Sequence, residues 1–71
     1  MDRAMQLRHL EEAERHVARG ERHIAEQEQR IAELDRDGHD TTQARRLLQN
    51  FRDLQVQHVE HRDHILRELA R

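Results

Sequence analysis

The chain contains no cysteine, and it also lacks serine, lysine, tyrosine, tryptophan and proline. Without cysteine it can form neither a disulfide framework nor a thiolate nucleophile. Without serine, lysine and tyrosine it also loses most other nucleophilic side chains and several general acids. Histidine and glutamate can still carry protons, but no catalytic motif places them around a substrate. We therefore expect a protein that is not an enzyme and has no cofactor and no small-molecule substrate.

Long apolar runs are missing as well. No N-terminal stretch has the uninterrupted apolar core of a signal peptide, and no stretch approaches the length that spans a membrane. These two absences favour a cytoplasmic protein without a membrane partner.

An excess of positive charge is the third missing feature. The chain has 13 basic and 15 acidic residues, so its net charge is −2, which gives no electrostatic footprint for nucleic acid. Every basic side chain is arginine, which makes bidentate contacts with phosphates, but the codon bias of a GC-rich genome explains this choice more simply. Nucleic acid is therefore disfavoured as a partner.

The apolar residues that are present recur with helical periodicity. They make up 34% of the 71 residues, against 39% charged residues of mixed sign, and this pattern predicts long amphipathic helices. Two such helices bury one stripe each, so the core is thin and small domains of this kind are marginally stable. Self-association is the simplest remedy.

The stretch from Asp37 to Asp40 is the only break between two helical patterns. Gly38 tolerates the left-handed conformation that ends many helices. Asp40 is a good N-cap, and Gln43 three residues later completes a capping-box pattern. So short a connection predicts antiparallel neighbours. We expect one domain over 1–71, with a helix over 3–36, a turn over 37–40 and a helix over 41–70.

A seven-residue repeat runs through the first half of the chain, and it reads HLEEAER, HVARGER, HIAEQEQ and RIAELDR. Such a repeat is typical of a helix that packs along its length against another helix. Its large apolar column consists of Leu10, Val17, Ile24 and Ile31, and its small column of Ala18, Ala25 and Ala32. We expect the alanines to allow close approach of a neighbour. Gly20 costs about 1 kcal/mol in a helix and indicates a tight helix contact, with a hinge or simple tolerance as alternatives.

The second half carries one apolar stripe, and its seam positions in sevens are Ala44, Phe51, His58 and Ile65. We expect His58 to be partly buried and uncharged. Antiparallel pairing about the turn places Ile31 opposite Leu47, Ile24 opposite Leu54, and His16 near His61. One hairpin cannot cover all these apolar residues, so Val56, Val59 and Leu66 should face a second chain. The predicted interface residues are Leu10, Val17, Ile24, Ile31, Leu47, Phe51, Leu54, Val59, Ile65, Leu66 and Leu69.

The histidines raise the question of a metal site. His9, His16 and His23 are spaced about 10 Å apart along one helix, so no two of them can share an ion within one chain. A site from His16, His61 and Glu12 is geometrically conceivable. His58, His61 and His64 are spaced by three along the second helix, and at most two of them could share an ion. The Glu-x-x-His motif of carboxylate metal bundles is absent. We therefore assign no metal ligand and interpret these residues as a polar layer that fixes register.

The run IAELDRDGHDTTQARRLLQNF, over residues 31–51, resembles short uncharacterised helical-hairpin proteins of alphaproteobacteria. The preceding GERHIAEQ and the later helix rich in His, Arg and Asp extend this resemblance over most of the chain. Its most distinctive part is the central DGHDT turn, which includes Gly38 and Asp40. The resemblance implies a bacterial cytoplasmic origin and a turn shared across the family, and it carries no established activity or site.

Together these features predict an all-α antiparallel helical hairpin that self-associates, as a dimeric four-helix bundle or a coiled coil. The favoured function is a small interaction or regulatory module that binds another protein. One alternative is a metal or pH sensor based on the histidines. Another is an accessory nucleic-acid binder that uses arginines of the assembled dimer.

Overall fold

The computed structural model describes residues 2–71 and contains two helices, α1 at Arg3–Arg36 and α2 at Thr42–Leu69. The helices pack against each other, and this part of the chain contains no strand. The result is a rod of 54 × 14 × 13 Å, which confirms the predicted all-α hairpin. α2 begins one residue later and ends one residue earlier than predicted.

Gly38 ends α1 in the left-handed conformation predicted from the sequence, with a φ of 76°. Its amide donates to the carbonyl of Asp35 at 3.1 Å, and the amide of His39 donates to the carbonyl of Leu34 at 2.9 Å. This pair of bonds is the Schellman motif, which satisfies carbonyls that the end of a helix otherwise leaves free. Any residue with a Cβ adopts this φ only at a cost, so the turn favours glycine.

Asp40 holds the start of α2, although the helix boundary itself lies at Thr41. Its Oδ1 accepts hydrogen bonds from the Thr42 hydroxyl at 2.7 Å and from the Thr42 amide at 3.0 Å. These bonds keep the pKa of the Asp40 carboxyl below its ordinary value of 3.8, the hydroxyl bond contributing most. The reciprocal bond predicted from Gln43 does not form in residues 2–71, because Gln43 is the second helical residue rather than the third.

The seam between the helices advances in steps of three and four residues on both sides, as in a coiled coil. The predicted seam column of α1 and the seam positions Ala44, Phe51, His58 and Ile65 all lie in it, buried or half-buried. The buried apolar residues are Ala13, Val17, Ile31, Leu48 and Ile65. No large side chain of the described hairpin is completely enclosed, so the core is as thin as the composition predicts.

Leu47 and Leu54 lie beside the seam rather than in it, and the predicted pairing with Ile31 and Ile24 is wrong. Leu47 is 43% exposed and Leu54 is 50% exposed, whereas Leu48 is only 7% exposed. The stripe that passes through Ala44 and Phe51 in steps of four and three includes Leu48, and this leaves Leu47 on the flank. Accordingly, Phe51 contacts the ring of His23, with centroids 5.6 Å apart.

The alanine column is also placed differently from the prediction. Ala18, Ala25 and Ala32 are exposed, and the small residues that α1 contributes to the seam are Ala13 and Gly20. One residue corresponds to about 100° around a helix, so an alanine that follows a seam residue points away from α2. The alanines therefore do not set the spacing of the two helices within the hairpin.

Gly20 sets that spacing, together with Gln55 of α2. A Cβ at position 20 would overlap the Oε1 of Gln55 and lie 2.7 Å from its Cδ. The Nε2 of Gln55 donates to the carbonyl of Val17 at 2.9 Å, across the seam. Gly20 is therefore a tight helix contact, as its sequence context indicates. The Oε1 of Gln55 is buried without a hydrogen-bond partner among residues 2–71.

A second glutamine crosses the seam near the turn. Gln27 of α1 is buried, and its Nε2 donates to the carbonyl of Ala44 at 2.9 Å. A buried amide without a partner costs about 1–3 kcal/mol, and sliding one helix along the other would break the bonds of both Gln27 and Gln55. The two glutamines therefore fix the register of a seam that has few large apolar side chains.

Candidate interaction surfaces

One side of the hairpin carries an apolar surface, here called the valine face and defined by Ile24, Val56, Val59 and Leu66. The first three residues line one open depression. Leu66 follows Val59 by seven residues, which is about two helical turns, and so lies on the same side of α2. Val56 is 56% exposed and Leu66 is 45% exposed. The sequence predicted that Val56, Val59 and Leu66 lie on one flank of the stripe and face a second chain. Val56 and Val59 do line one depression, and the second chain stays a prediction.

An acidic column of α1 borders the valine face. Glu28 pairs with Arg52, which lines the same depression, at 3.4 Å. Glu21 and Glu14 precede Glu28 by steps of seven residues, so they continue the column. Neither has an ion-pair partner within residues 2–71. An exposed ion pair contributes only about 0–1 kcal/mol, so these charges affect the choice and orientation of a partner more than stability.

The other side of the hairpin is here called the histidine face, defined by His9, His16, His23, His58 and His61. On α1, His16 and His23 each follow a residue of the acidic column by two residues, which is about 200° around the helix, and His9 precedes His16 by seven residues. His16, His23 and His58 line a hollow of about 320 Å³. His9, His16 and His61 line a second hollow of about 230 Å³. The exposed Leu54 lines the larger hollow, and the exposed Leu47 lies farther along the same side, toward the turn.

His16 makes the closest contacts on the histidine face. Its ring meets the ring of His58 across the seam, with centroids 5.3 Å apart and planes nearly perpendicular at 85°. The Oε1 of Glu12, one turn earlier, lies 3.7 Å from the Nε2 of His16. His58 is half-buried, as its seam position predicts. The sequence predicted that His16 lies near His61, and the two side chains do line one hollow. The ring that His16 contacts, however, is that of His58.

The candidate metal ligands do not converge as a set of three. In the described part of the chain, no three His, Asp or Glu side chains are close enough to hold one ion. His64 is exposed and lines neither hollow of the histidine face. The arrangement that remains is a pair of imidazoles from different helices, with a carboxylate beside one of them.

Sequence reasoning missed the two glutamines that cross the seam. A polar residue in a highly charged helix is usually taken for a surface residue. Only its spacing from the apolar seam residues indicates that it lies in the seam. Gln27 lies midway between Ile24 and Ile31 in steps of three and four, and Gln55 lies in the same way between Phe51 and His58. That spacing is the signal that could have placed both in the seam.

No protein-family model matches the chain, and neither the curated proteins nor the solved structures contain a significant match. Neither α1 nor α2 has an apolar stretch that would let it span a lipid bilayer. The proposed function therefore rests on the chemistry of the valine face and the histidine face.

Proposed function

We propose that this protein is a small interaction module that works as a homodimer, in which two hairpins pack through their valine faces into a four-helix bundle. The observation that carries this proposal is the valine face itself. Large apolar side chains lie exposed beside a seam that is too thin to cover them. A second copy supplies the missing layer.

The area of exposed surface supports a second copy as the occupant. The chain exposes 5645 Å², whereas a compact monomer of 8.6 kDa exposes about 4,700 Å². The excess of roughly 900 Å² is close to the ~800 Å² that one partner contributes to a stable interface. A dimer through one broad side of the rod therefore brings the exposed surface per chain to the compact value.

The charges beside the valine face favour one arrangement of the two copies. If α1 packed on α1 of the other copy, two acidic columns that include Glu14 and Glu21 would face each other, and like charges at an interface are costly. If α1 packs on α2, the acidic column meets Arg45 and Arg52 of the other copy. We therefore place the two hairpins side by side, with both turns at the same end.

Sedimentation of the wild type and of one charge variant tests the proposal. At tens of micromolar, the wild type should sediment at about twice its chain mass of 8.6 kDa. Val56→Glu puts an unpaired charge into the interface and should weaken dimerisation about tenfold or more. Gln57→Glu adds the same charge at the next residue, off the valine face, and should leave the mass unchanged. A stable, helical wild-type monomer at this concentration would overturn the proposal.

Binding of a further protein is the second part of the proposed function. We expect the assembled bundle to present a composite surface that one hairpin lacks. A capture experiment with wild type, Val56→Glu and Gln57→Glu as matched baits tests this. A partner of the bundle should be retained by the wild type and by Gln57→Glu and lost with Val56→Glu. Equal capture by all three baits would show that any partner recognises the single hairpin.

A further inference from the structure

The contact between His16 and His58 joins two imidazole rings that are far apart in the sequence. His16 belongs to α1 and His58 to α2, and the folded seam holds their ring centroids 5.3 Å apart. Neither ring is fully enclosed, because His58 is half-buried and the side chain of His16 is 46% exposed. Both rings border the larger hollow of the histidine face, so a solute can reach the space between them.

This separation is the one that two imidazoles require to bind a single metal ion. Zinc binds imidazole nitrogens at about 2.0–2.1 Å in tetrahedral geometry, which puts the centroids of two such rings about 5 Å apart. The two rings are therefore already at the centroid separation of a chelating pair. Binding also requires that each ring aims one nitrogen at a common point.

The charges around the pair favour a cation on one side and oppose it on the other. The carboxylate of Glu12 lies beside the Nε2 of His16. A metal-bound histidine commonly donates its other ring N–H to a carboxylate, which fixes the orientation of the ring. At 3.7 Å Glu12 lies beyond hydrogen-bond distance of this nitrogen, but it is the carboxylate nearest to it, and a bond formed there on metal binding would leave the second nitrogen of His16 for an ion. Arg19 lines the same hollow, and its charge opposes a bound cation.

We propose that His16 and His58 bind one divalent transition-metal ion between the helices, with water completing its coordination. Neutral imidazole suits zinc, copper and nickel, whereas calcium and magnesium prefer oxygen ligands. The two ligands come together only in the folded hairpin. Metal binding is therefore coupled to folding, and it stabilises the hairpin as the metal concentration rises above the dissociation constant.

Zinc chloride is the probe for this site, titrated into the protein by calorimetry at pH 7.5 and followed by thermal unfolding. The expected stoichiometry is one zinc per chain, with a rise in the midpoint of unfolding that a chelator reverses. His16→Gln and His58→Gln should each weaken zinc binding at least tenfold. The double variant should bind no more weakly than either single variant, because one lost ligand already breaks the chelate.

Matched variants elsewhere in the chain serve as controls. His64→Gln and His39→Gln remove exposed histidines outside the proposed site and should leave zinc affinity unchanged. Arg19→Ala should strengthen zinc binding, because it removes the opposing charge.

Two results would overturn the proposal. One is zinc affinity that is unchanged in both His16→Gln and His58→Gln. The other is one zinc per two chains with a zinc-dependent rise in mass, which would mean that the ion bridges copies. The site does not depend on the proposed dimer. Val56→Glu should retain it as a monomer, so the metal proposal and the dimer proposal fail by different measurements.

Discussion

The valine face and the histidine face flank the same seam, but they differ in chemistry. The valine face has apolar side chains around one depression and charges along its border. The histidine face has five imidazoles beside two hollows, with Leu54 in the larger hollow and Leu47 toward the turn. Burial of the valine face against another protein is favourable, because it removes apolar side chains from water. The histidine face presents imidazole nitrogens, which can bind a small solute such as a metal ion. In the proposed arrangement, the dimer contact and the metal site therefore lie on opposite sides of one hairpin.

The contact between Gly20 and Gln55 links the two faces, because Gly20 borders the histidine hollow and Gln55 borders the valine depression. Gly20→Val should therefore have the largest effect on the hairpin. The new side chain displaces Gln55 and breaks its bond to Val17, at a cost of about 1–3 kcal/mol in the free energy of unfolding. Chemical denaturation measures this loss.

A matched substitution on the outside of α1 sharpens this prediction. Ala18→Val introduces the same side chain at an exposed position and should cost less than about 1 kcal/mol. Gly20→Val should also weaken zinc binding, because it separates His16 from His58, whereas Ala18→Val should not. Equal stabilities for the two variants would show that the seam tolerates a wider spacing and that the two faces are independent.

The turn lies at the end of both faces. A change there should therefore destabilise the whole hairpin, with no selective effect on the valine face or the histidine face. Gly38→Val forces a β-branched residue into a left-handed conformation and should destabilise the protein by about 1–2 kcal/mol. A Cβ at position 38 meets nothing within 4 Å, so the cost comes from the backbone alone. His39→Val, one residue later, is the control. A neutral Gly38→Val would mean that the chain can end α1 in another way.

The smallest effect should come from Asp40, and it should depend on pH. The folded carboxyl has a lowered pKa, so near and below pH 3.8 the unfolded chain binds more protons than the folded one. The contribution of Asp40 to stability is therefore present above about pH 4 and is lost as the pH falls through its folded pKa. Asp40→Ala should lower the unfolding midpoint at pH 7 and converge on the wild type once the pH has fallen below the folded pKa of Asp40. Asp37→Ala, on the other side of Gly38, should show no such convergence.

The turn could be predicted from the sequence because its residues act locally. A glycine after a helix and an aspartate before one have few other uses, and the structure shows Gly38 at positive φ and Asp40 bonded to Thr42. The seven-residue column of α1 was equally plain, because four large apolar residues repeat without interruption.

The seam positions of α2 were predicted, but which residues between them are buried and which side chains touch across the seam could not be predicted in the same way. Leu47 and Leu48 are identical and adjacent, so composition does not say which one is buried, and the choice depends on the whole stripe. The alanine column suggests a packing surface because alanine is small and apolar. Each of these alanines, however, lies about 100° around α1 from a seam residue and is exposed. The ring contact of His16 with His58 depends on the register, which the bonds of Gln27 and Gln55 across the seam determine.

The arrangement of two hairpins through the valine face is most directly tested by one distance. The chain has no cysteine, so His39→Cys places a single spin label at the turn. If the hairpins pack side by side with α1 on α2, the labels of the two copies should lie well within half of the 54 Å length of the rod. Labels separated by about that full length would mean that the turns lie at opposite ends and would contradict the arrangement. The absence of any intermolecular distance at a concentration where the labelled protein remains folded would contradict the dimer itself.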